Sequence, residues 1–230
     1  MATALAAAFT LLAGLAALRS GSRLLRWAAL GGLTCTVVLV GVTVVTVQQQ
    51  TNIATGPESA ENPGAVRKIA FGNQRGELEY GACDVSIPKI HQVGQLEAPS
   101  IFRLDFQETP ERHVVLLGIK PLESESFFQE VKTRVDQAAD KSAFVFVHGF
   151  NVTFEDAARR TAQIAYDLHF DGAPIFFSWP SQGGLFKYTI DETNVVWAVP
   201  HLRQFLTEVA EQTGANRIHL VAHSMGNRAL

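Results

Sequence analysis

The chain has 230 residues, enough for one domain of ordinary size, and its composition is uneven along its length. Up to Val47 there is no Asp, Glu or Lys, and the only charges are three arginines, which leaves the remainder with 16 basic and 22 acidic residues, a net charge of −6. This acidic balance, which includes no basic run, argues against a nucleic-acid partner.

The first predicted element is a membrane anchor within residues 1–47. Ala28 to Val47 is an uncharged run of twenty residues, and a helix that rises ~1.5 Å per residue would cross the ~30 Å hydrocarbon core of a bilayer. A cleaved secretory signal is the alternative, but the run is longer than a usual signal core and lacks a small-x-small cleavage site. Ala2 to Leu18 is a second apolar stretch, which is either a first helix or an apolar leader.

The orientation of this anchor follows from the three arginines between the two stretches. Arg19, Arg23 and Arg26 are expected on the cytoplasmic side. The rest of the chain is then expected at the periplasmic or exterior face of the inner membrane.

A polar tether over residues 48–65, with two X-Pro turns, is the next predicted segment, and a domain is expected from residue 66 to residue 230. Residues 67–71 are predicted to form a first short strand. Phe102, Leu104 and Phe106 alternate with charged residues, which is typical of a half-exposed strand, and residues 113–119 are its predicted partner.

From residue 123 onward, helical and strand patterns alternate. Helices are predicted over 123–139, from a Thr153-x-x-Asp156 capping box onward, and over a third segment that contains Pro200 and ends at Gly214. The proline predicts a kink or two pieces in that third helix. Short apolar runs at 143–147, 175–178 and 217–222 predict strands buried on both faces, and the order of elements predicts an α/β fold with a mostly parallel sheet. The second helix is expected to bury Phe154, Ala157, Ala158, Thr161, Ala165 and Leu168.

The candidate nucleophile lies in the pentad that follows the last predicted strand, residues 222–226, and it is Ser224. A serine hydroxyl is a weak nucleophile unless a base takes its proton and the oxygen stands clear of its own backbone, which a sharp strand-to-helix turn achieves. Glycine is favoured two residues to either side because strand and helix crowd together there. Here Gly226 is kept and Ala222 replaces the other glycine.

A second motif, Val147 to Asn151, ends the first buried strand of this series. Acyl transfer builds negative charge on a carbonyl oxygen, and two backbone N–H groups aimed at that oxygen are worth roughly 3 kcal/mol or more. In this architecture one N–H belongs to the residue after the nucleophile, Met225, and the other to this loop. Phe150 is the first candidate for the loop donor and Asn151 the second, whereas His148 is expected to hold the loop in place.

These motifs, together with residues 177–181, resemble the bacterial α/β-hydrolase family of unknown function numbered 900 over residues 66–230. The resemblance implies a lipase- or esterase-like fold and a hydrolase activity, without a defined substrate. At the mouth of such a site we expect pocket residues, namely His148, Asn151, Trp179, Tyr188 and His223, with Asp191 and Asn194 nearby.

The resemblance also implies a catalytic acid and then a histidine after the serine. The six residues after Ser224 include no Asp, Glu or His, so the sequence is expected to be an incomplete piece of a longer protein. Two functions stay open: a membrane-anchored serine hydrolase that acts on a small ester or acyl substrate, and a non-catalytic membrane-tethered binding module with the same fold. The spacing of Cys35, Cys83 and the histidines does not resemble a metal site, and no cofactor is expected. The expected partners are therefore the lipid bilayer and the small-molecule substrate.

Overall fold

Six strands form one mixed sheet in the computed structural model, which describes residues 38–53, 68–98, 108–182 and 187–230. The order across the sheet is β3-β2-β1-β5-β4-β6. Strands β1, β5, β4 and β6 run parallel to one another, whereas β2 is antiparallel to both β1 and β3. The elements are β1 Val38–Ile53, β2 Lys68–Ile87, β3 Val115–Leu122, α1 Ser124–Gln137, β4 Ser142–Val147, α2 Phe154–Asp167, β5 Ala173–Ser178, α3 Tyr188–Gln212, β6 Arg217–Ala222 and a 3-10 turn, Ser224–Arg228.

Helices cover both faces of this sheet because its central strands are apolar on both sides. Val145 and Ile175 pack against α1 and α3, while Phe144, Phe146 and Phe176 pack against α2. Every residue of β4 and of β5 is buried, as expected of parallel strands between two helical layers. The α/β class predicted from the sequence is confirmed, and the parallel β5-β4-β6 unit fits a hydrolase fold.

Local sequence signals account for the ends of the helices. The Thr153 hydroxyl accepts a hydrogen bond from the backbone N–H of Asp156, and the Asp156 carboxylate accepts one from the N–H of Thr153, which is the predicted capping box. Gly214, directly after the C-cap of α3, has a φ of +67°, a conformation that favours glycine at a helix end.

The N-terminal region differs from its prediction. Residues 38–47 form the first part of β1, not the second half of a membrane helix, and residues 48–53 belong to the same strand, not to a tether. The run from 37 to 47 is dominated by Val and Thr, whose branched Cβ atoms favour a strand. Residues 1–37 and 54–67 lie outside the described part. None of the helices that the structure describes is both long and apolar enough to cross a bilayer.

Four further predictions differ from the structure in whole or in part. β3 pairs with β2, and the predicted strand at 102–106 lies outside the described residues. α3 is one continuous helix with Pro200 inside it, so the prediction of two pieces is wrong, whereas the alternative of a kink stays a prediction. β6 is an edge strand with exposed side chains, because β4 is its sole partner in the described sheet. Leu168, predicted to be buried, is 69% exposed because α2 ends one residue earlier.

Candidate functional site

The candidate nucleophile stands on a strained turn at the carboxyl edge of the sheet. Ser224 follows β6 by two residues, is exposed and has a φ of +51°, which a non-glycine residue rarely adopts. Asn227 Nδ2 donates to the carbonyl oxygen of Ser224 at 3.0 Å, and Gly226 N donates to the carbonyl oxygen of His223 at 2.9 Å. These bonds hold the turn in the conformation that lifts the hydroxyl off the strand.

Two glycines let this turn pack against the loop after β4. A Cβ added at Gly226 would lie 2.5 Å from the carbonyl oxygen of Val147. A Cβ added at Gly149 would lie 2.8 Å from the carbonyl oxygen of His223 and 3.0 Å from the Cβ of Ser224. Both separations are too short for a methyl group, so the glycines are required by backbone contact, and the peptide between Gly149 and Phe150 lies beside the turn.

His148 holds the end of β4 to the end of β5. Its Nε2 accepts a hydrogen bond from the backbone N–H of Trp179 at 3.1 Å, so Nδ1 carries the proton and donates to the carbonyl oxygen of Gly149 at 3.0 Å. The Trp179 indole N–H donates to the carbonyl oxygen of His148 at 2.8 Å, and the two rings stack at 4.9 Å. Burial lowers the pKa of His148 to about 4, so the ring is neutral at pH 7.

Trp179, predicted as a pocket residue, is fully buried in the core and does not line the mouth. Its large ring fills the space beneath the loops after β4 and β5. His148 is buried there too, at 1% exposure, so both residues support the site from below.

The loop after β5 is fixed by the first turns of α3. The buried Asp191 carboxylate accepts hydrogen bonds from the Ser181 hydroxyl at 2.7 Å and from the Gln182 backbone N–H at 2.8 Å. Asn194 Nδ2 donates to the carbonyl oxygen of Pro180 at 2.7 Å. Asp191 and Asn194 of α3 therefore hold this loop in place, whereas Tyr188, the first residue of α3, is 44% exposed.

Contacts among the side chains of Phe150, Tyr188 and Arg228 lie at one side of the candidate site. The Phe150 and Tyr188 rings meet edge to face at 5.2 Å between centroids, and Arg228 Nη2 donates to the Tyr188 hydroxyl at 3.4 Å. Arg228 also forms an ion pair with Glu192 on α3. Sequence reasoning did not single out Arg228 and Glu192. The signal that could have found Arg228 was its position one 3-10 turn beyond the candidate nucleophile.

The structure brings some of the predicted residues together and leaves others apart. Ser224, Met225 and the Gly149–Phe150 peptide meet at one point, and the His223 ring is directed toward Gly149, where Nδ1 would lie 3.0 Å from an added Cβ. Asn151 is exposed, with a φ of +57°. In the part of the chain that the structure describes, no side chain hydrogen-bonds to Ser224 Oγ, and no group of three or more His, Cys, Asp or Glu could hold a metal ion.

Comparison with known proteins is consistent with this geometry. Residues 123–230 match the family described as "Alpha/beta hydrolase of unknown function (DUF900)", a shorter span than the resemblance drawn from residue 66 onward. No curated protein and no solved structure matches the chain. The matched segment contains β4, β5 and β6, both close-packed glycines and the Ser224 turn. For residues 123–230, this match confirms the resemblance to a family of alpha/beta hydrolases of unknown function.

Proposed function

We propose that the protein is a serine hydrolase that cleaves an ester or acyl bond and is attached to a membrane by its N-terminal residues. The observation that carries the proposal is Ser224, an exposed serine with a φ of +51° two residues after the parallel strand β6. A residue held in that conformation costs of order 1–3 kcal/mol, and such strain occurs preferentially at functional sites.

In the proposed reaction, Ser224 Oγ attacks the substrate carbonyl carbon while a general base takes the hydroxyl proton. Negative charge then develops on the carbonyl oxygen. The backbone N–H groups of Met225 and Phe150 stabilise that charge, since the Gly149–Phe150 peptide lies against the turn. Collapse of the tetrahedral intermediate breaks the bond to the alcohol or amine, which takes the proton held by the base. Water then attacks the acyl carbon, the carboxylic acid leaves and the proton returns to Ser224 Oγ.

The test is covalent labelling with a fluorophosphonate, which reacts with activated serines, of a version of the protein that includes the acid and histidine expected after Ser224. We expect labelling that falls at least about tenfold in Ser224→Ala, because the nucleophile is lost. Ser126→Ala, an exposed position on α1, serves as the matched control and should label like the parent. Equal labelling of Ser224→Ala would refute the proposal. A parent chain that takes no label would favour the non-catalytic binding module.

Membrane attachment rests on the sequence of residues 1–37, which contains no acidic residue and no lysine. Apolar segments that insert into the bilayer resist extraction by alkaline carbonate, whereas peripheral proteins are released. We expect the full chain to stay with the membrane pellet after carbonate treatment, with the arginines on the cytoplasmic side. Release into the supernatant would remove this part of the proposal without affecting the role of Ser224.

A further inference from the structure

A buried histidine fixes the loop that follows β2. His91 Nδ1 lies 2.7 Å from Glu97 Oε2, and His91 Nε2 lies 2.7 Å from Asp167 Oδ1 at the end of α2. The same carboxylates accept hydrogen bonds from backbone N–H groups of the loop, Glu97 from Gln92 at 2.9 Å and Asp167 from Gly94 at 2.8 Å. The loop is therefore tied to α2 at several points and cannot rearrange without breaking them.

This fixed loop presents apolar side chains to solvent. Ile90 and Val93, on either side of His91, are 62% and 80% exposed. Leu168 is 69% exposed, and Tyr166 is 37% exposed with its ring 5.5 Å from the imidazole of His91. We call Ile90, Val93, Tyr166 and Leu168 the apolar rim. A cluster of exposed apolar side chains marks an interaction surface, and here the hydrogen bonds prevent the side chains from folding inward.

The apolar rim lies on the side of the sheet where β1 begins. β1 runs parallel to β5, so Val38, its first residue, lies at the amino edge. Val38 pairs with Ile87, the last residue of β2, and the fixed loop follows directly. The 37 residues before Val38 carry no acidic residue and no lysine. The first residue of β1 thus lies on the side of the sheet where the fixed loop begins.

We infer that the apolar rim rests on the lipid bilayer, and this inference rests on the proposed membrane attachment. Branched and leucine side chains insert at the interface between headgroups and acyl chains, and tyrosine prefers the headgroup level. The carboxylates nearest the rim, Glu97 and Asp167, are largely buried against His91 and so present little negative charge to anionic lipids. Lys89, exposed beside Ile90, favours such lipids.

This placement also sets the orientation of the active site. Ser224 follows the carboxyl end of β6, whereas the rim lies at the amino edge. Parallel strands of six residues separate these edges by about 20 Å, at ~3.3 Å per residue. Ser224 therefore opens toward the aqueous compartment, and its substrate reaches it from water and not from the bilayer.

The experiment labels the rim in the full chain. Cys35→Ser and Cys83→Ala remove the native thiols, and Val93→Cys then carries an environment-sensitive fluorophore. The protein is reconstituted into vesicles of phosphatidylcholine and phosphatidylglycerol, with or without lipids that bear a quencher near the headgroup. We expect blue-shifted emission and about twofold quenching for the Val93 label. The same label at Val196→Cys, 61% exposed on α3, is the control and should be unaffected.

Each other outcome overturns the inference. A chain that floats with the vesicles but leaves the Val93 label unquenched is attached through a different face. Quenching of both labels contradicts the orientation. Blue-shifted emission without lipid means that protein covers the rim. A chain that does not float removes the membrane attachment itself, while fluorophosphonate labelling of Ser224 tests the hydrolase proposal separately.

Discussion

Gly149 lies at a close approach between the loop after β4 and the Ser224 turn, so a single methyl group added there should disturb both segments. An added Cβ would lie 2.8 Å from a backbone oxygen, which cannot move without moving the turn. We expect Gly149→Ala to lower the free energy of unfolding by about 1–3 kcal/mol. It should also slow fluorophosphonate labelling about tenfold or more, because the strained turn and the Phe150 N–H shift together.

Gly118 in β3 is the matched control, because a Cβ added there meets nothing within 4 Å. Chemical denaturation and labelling rates of Gly118→Ala should remain close to those of the parent. If Gly149→Ala labels as fast as the parent, the loop does not contribute to the reaction.

The free energy of unfolding should depend on pH because of His148. Burial lowers its pKa to about 4 from the ordinary 6.5, so the unfolded chain binds a proton at a higher pH than the folded chain does. The stability contributed by the neutral ring is complete above pH 6.5 and is lost as the pH falls toward 4. Over that range the loss should reach about 3 kcal/mol.

Urea unfolding at several pH values measures this pH-dependent contribution to stability, and the substitution His148→Asn removes it. The variant should be less stable than the parent at pH 7 but should lose less stability between pH 6.5 and pH 4. Parallel pH profiles for the two proteins would show that His148 does not titrate in this range.

At the level of elements, the loop after β2 should lose its attachment to α2 as the pH rises, whereas the contribution of His148 is lost as the pH falls. Burial alone would lower the pKa of His91, but hydrogen bonds to Glu97 and Asp167 and the charges of both carboxylates outweigh it and raise this pKa. Both ring nitrogens face carboxylate oxygens at 2.7 Å, and only the imidazolium donates from both. The attachment is therefore complete below pH 6.5 and is lost as the pH rises through the raised pKa of the folded state.

Hydrogen exchange at the amides of Gln92 and Gly94 reports on this attachment, since both donate to the same two carboxylates. After correction for base catalysis, we expect protection of these amides to fall above neutral pH. In His91→Asn the protection should be low at every pH. Protection in the parent that does not change with pH would show that the loop is held without the imidazolium.

Pro200 lies inside α3 and, because it has no backbone N–H, cannot donate the helical hydrogen bond to the residue four positions earlier. The helix continues through it because Val195, Ala198 and Leu202 are buried in the core on either side. Pro200→Ala should raise the free energy of unfolding by about 1–3 kcal/mol. Arg203→Ala, an exposed change in the same helix, should alter stability little, and a loss of stability in Pro200→Ala would mean that the proline fits a real bend.

At the level of the whole molecule, the sequence predicted the positions of strands and helices correctly where one physical signal dominated. Continuous apolar runs located β4, β5 and β6, and Thr153 with Asp156 located the start of α2. The contacts of Ser224 with the loop after β4 followed from the two motifs, since parallel strands end at one edge of a sheet.

Sequence reasoning failed where two signals competed or where tertiary context decided. The run before Val47 is apolar enough for a membrane helix and β-branched enough for a strand, and hydrophobicity alone cannot separate these outcomes. Trp179 is a core residue because His148 stacks on it, a contact between separate strands that no local pattern encodes. The exposure of β6 depends on its place at the edge of the sheet, which spacing does not reveal.

The two edges of the described sheet differ in how well they are protected against association. β3 carries Lys120 and Pro121, residues that disfavour pairing with another strand. β6 instead exposes Leu220 at 47% and Val221 at 37%. We therefore expect concentration-dependent self-association through β6, measured by sedimentation velocity of the full chain in a fixed detergent. Val221→Lys should weaken it about tenfold, since pairing would bring two like charges together, whereas Leu117→Lys on β3 should not. Equal effects of the two variants would show that association does not depend on the β6 edge.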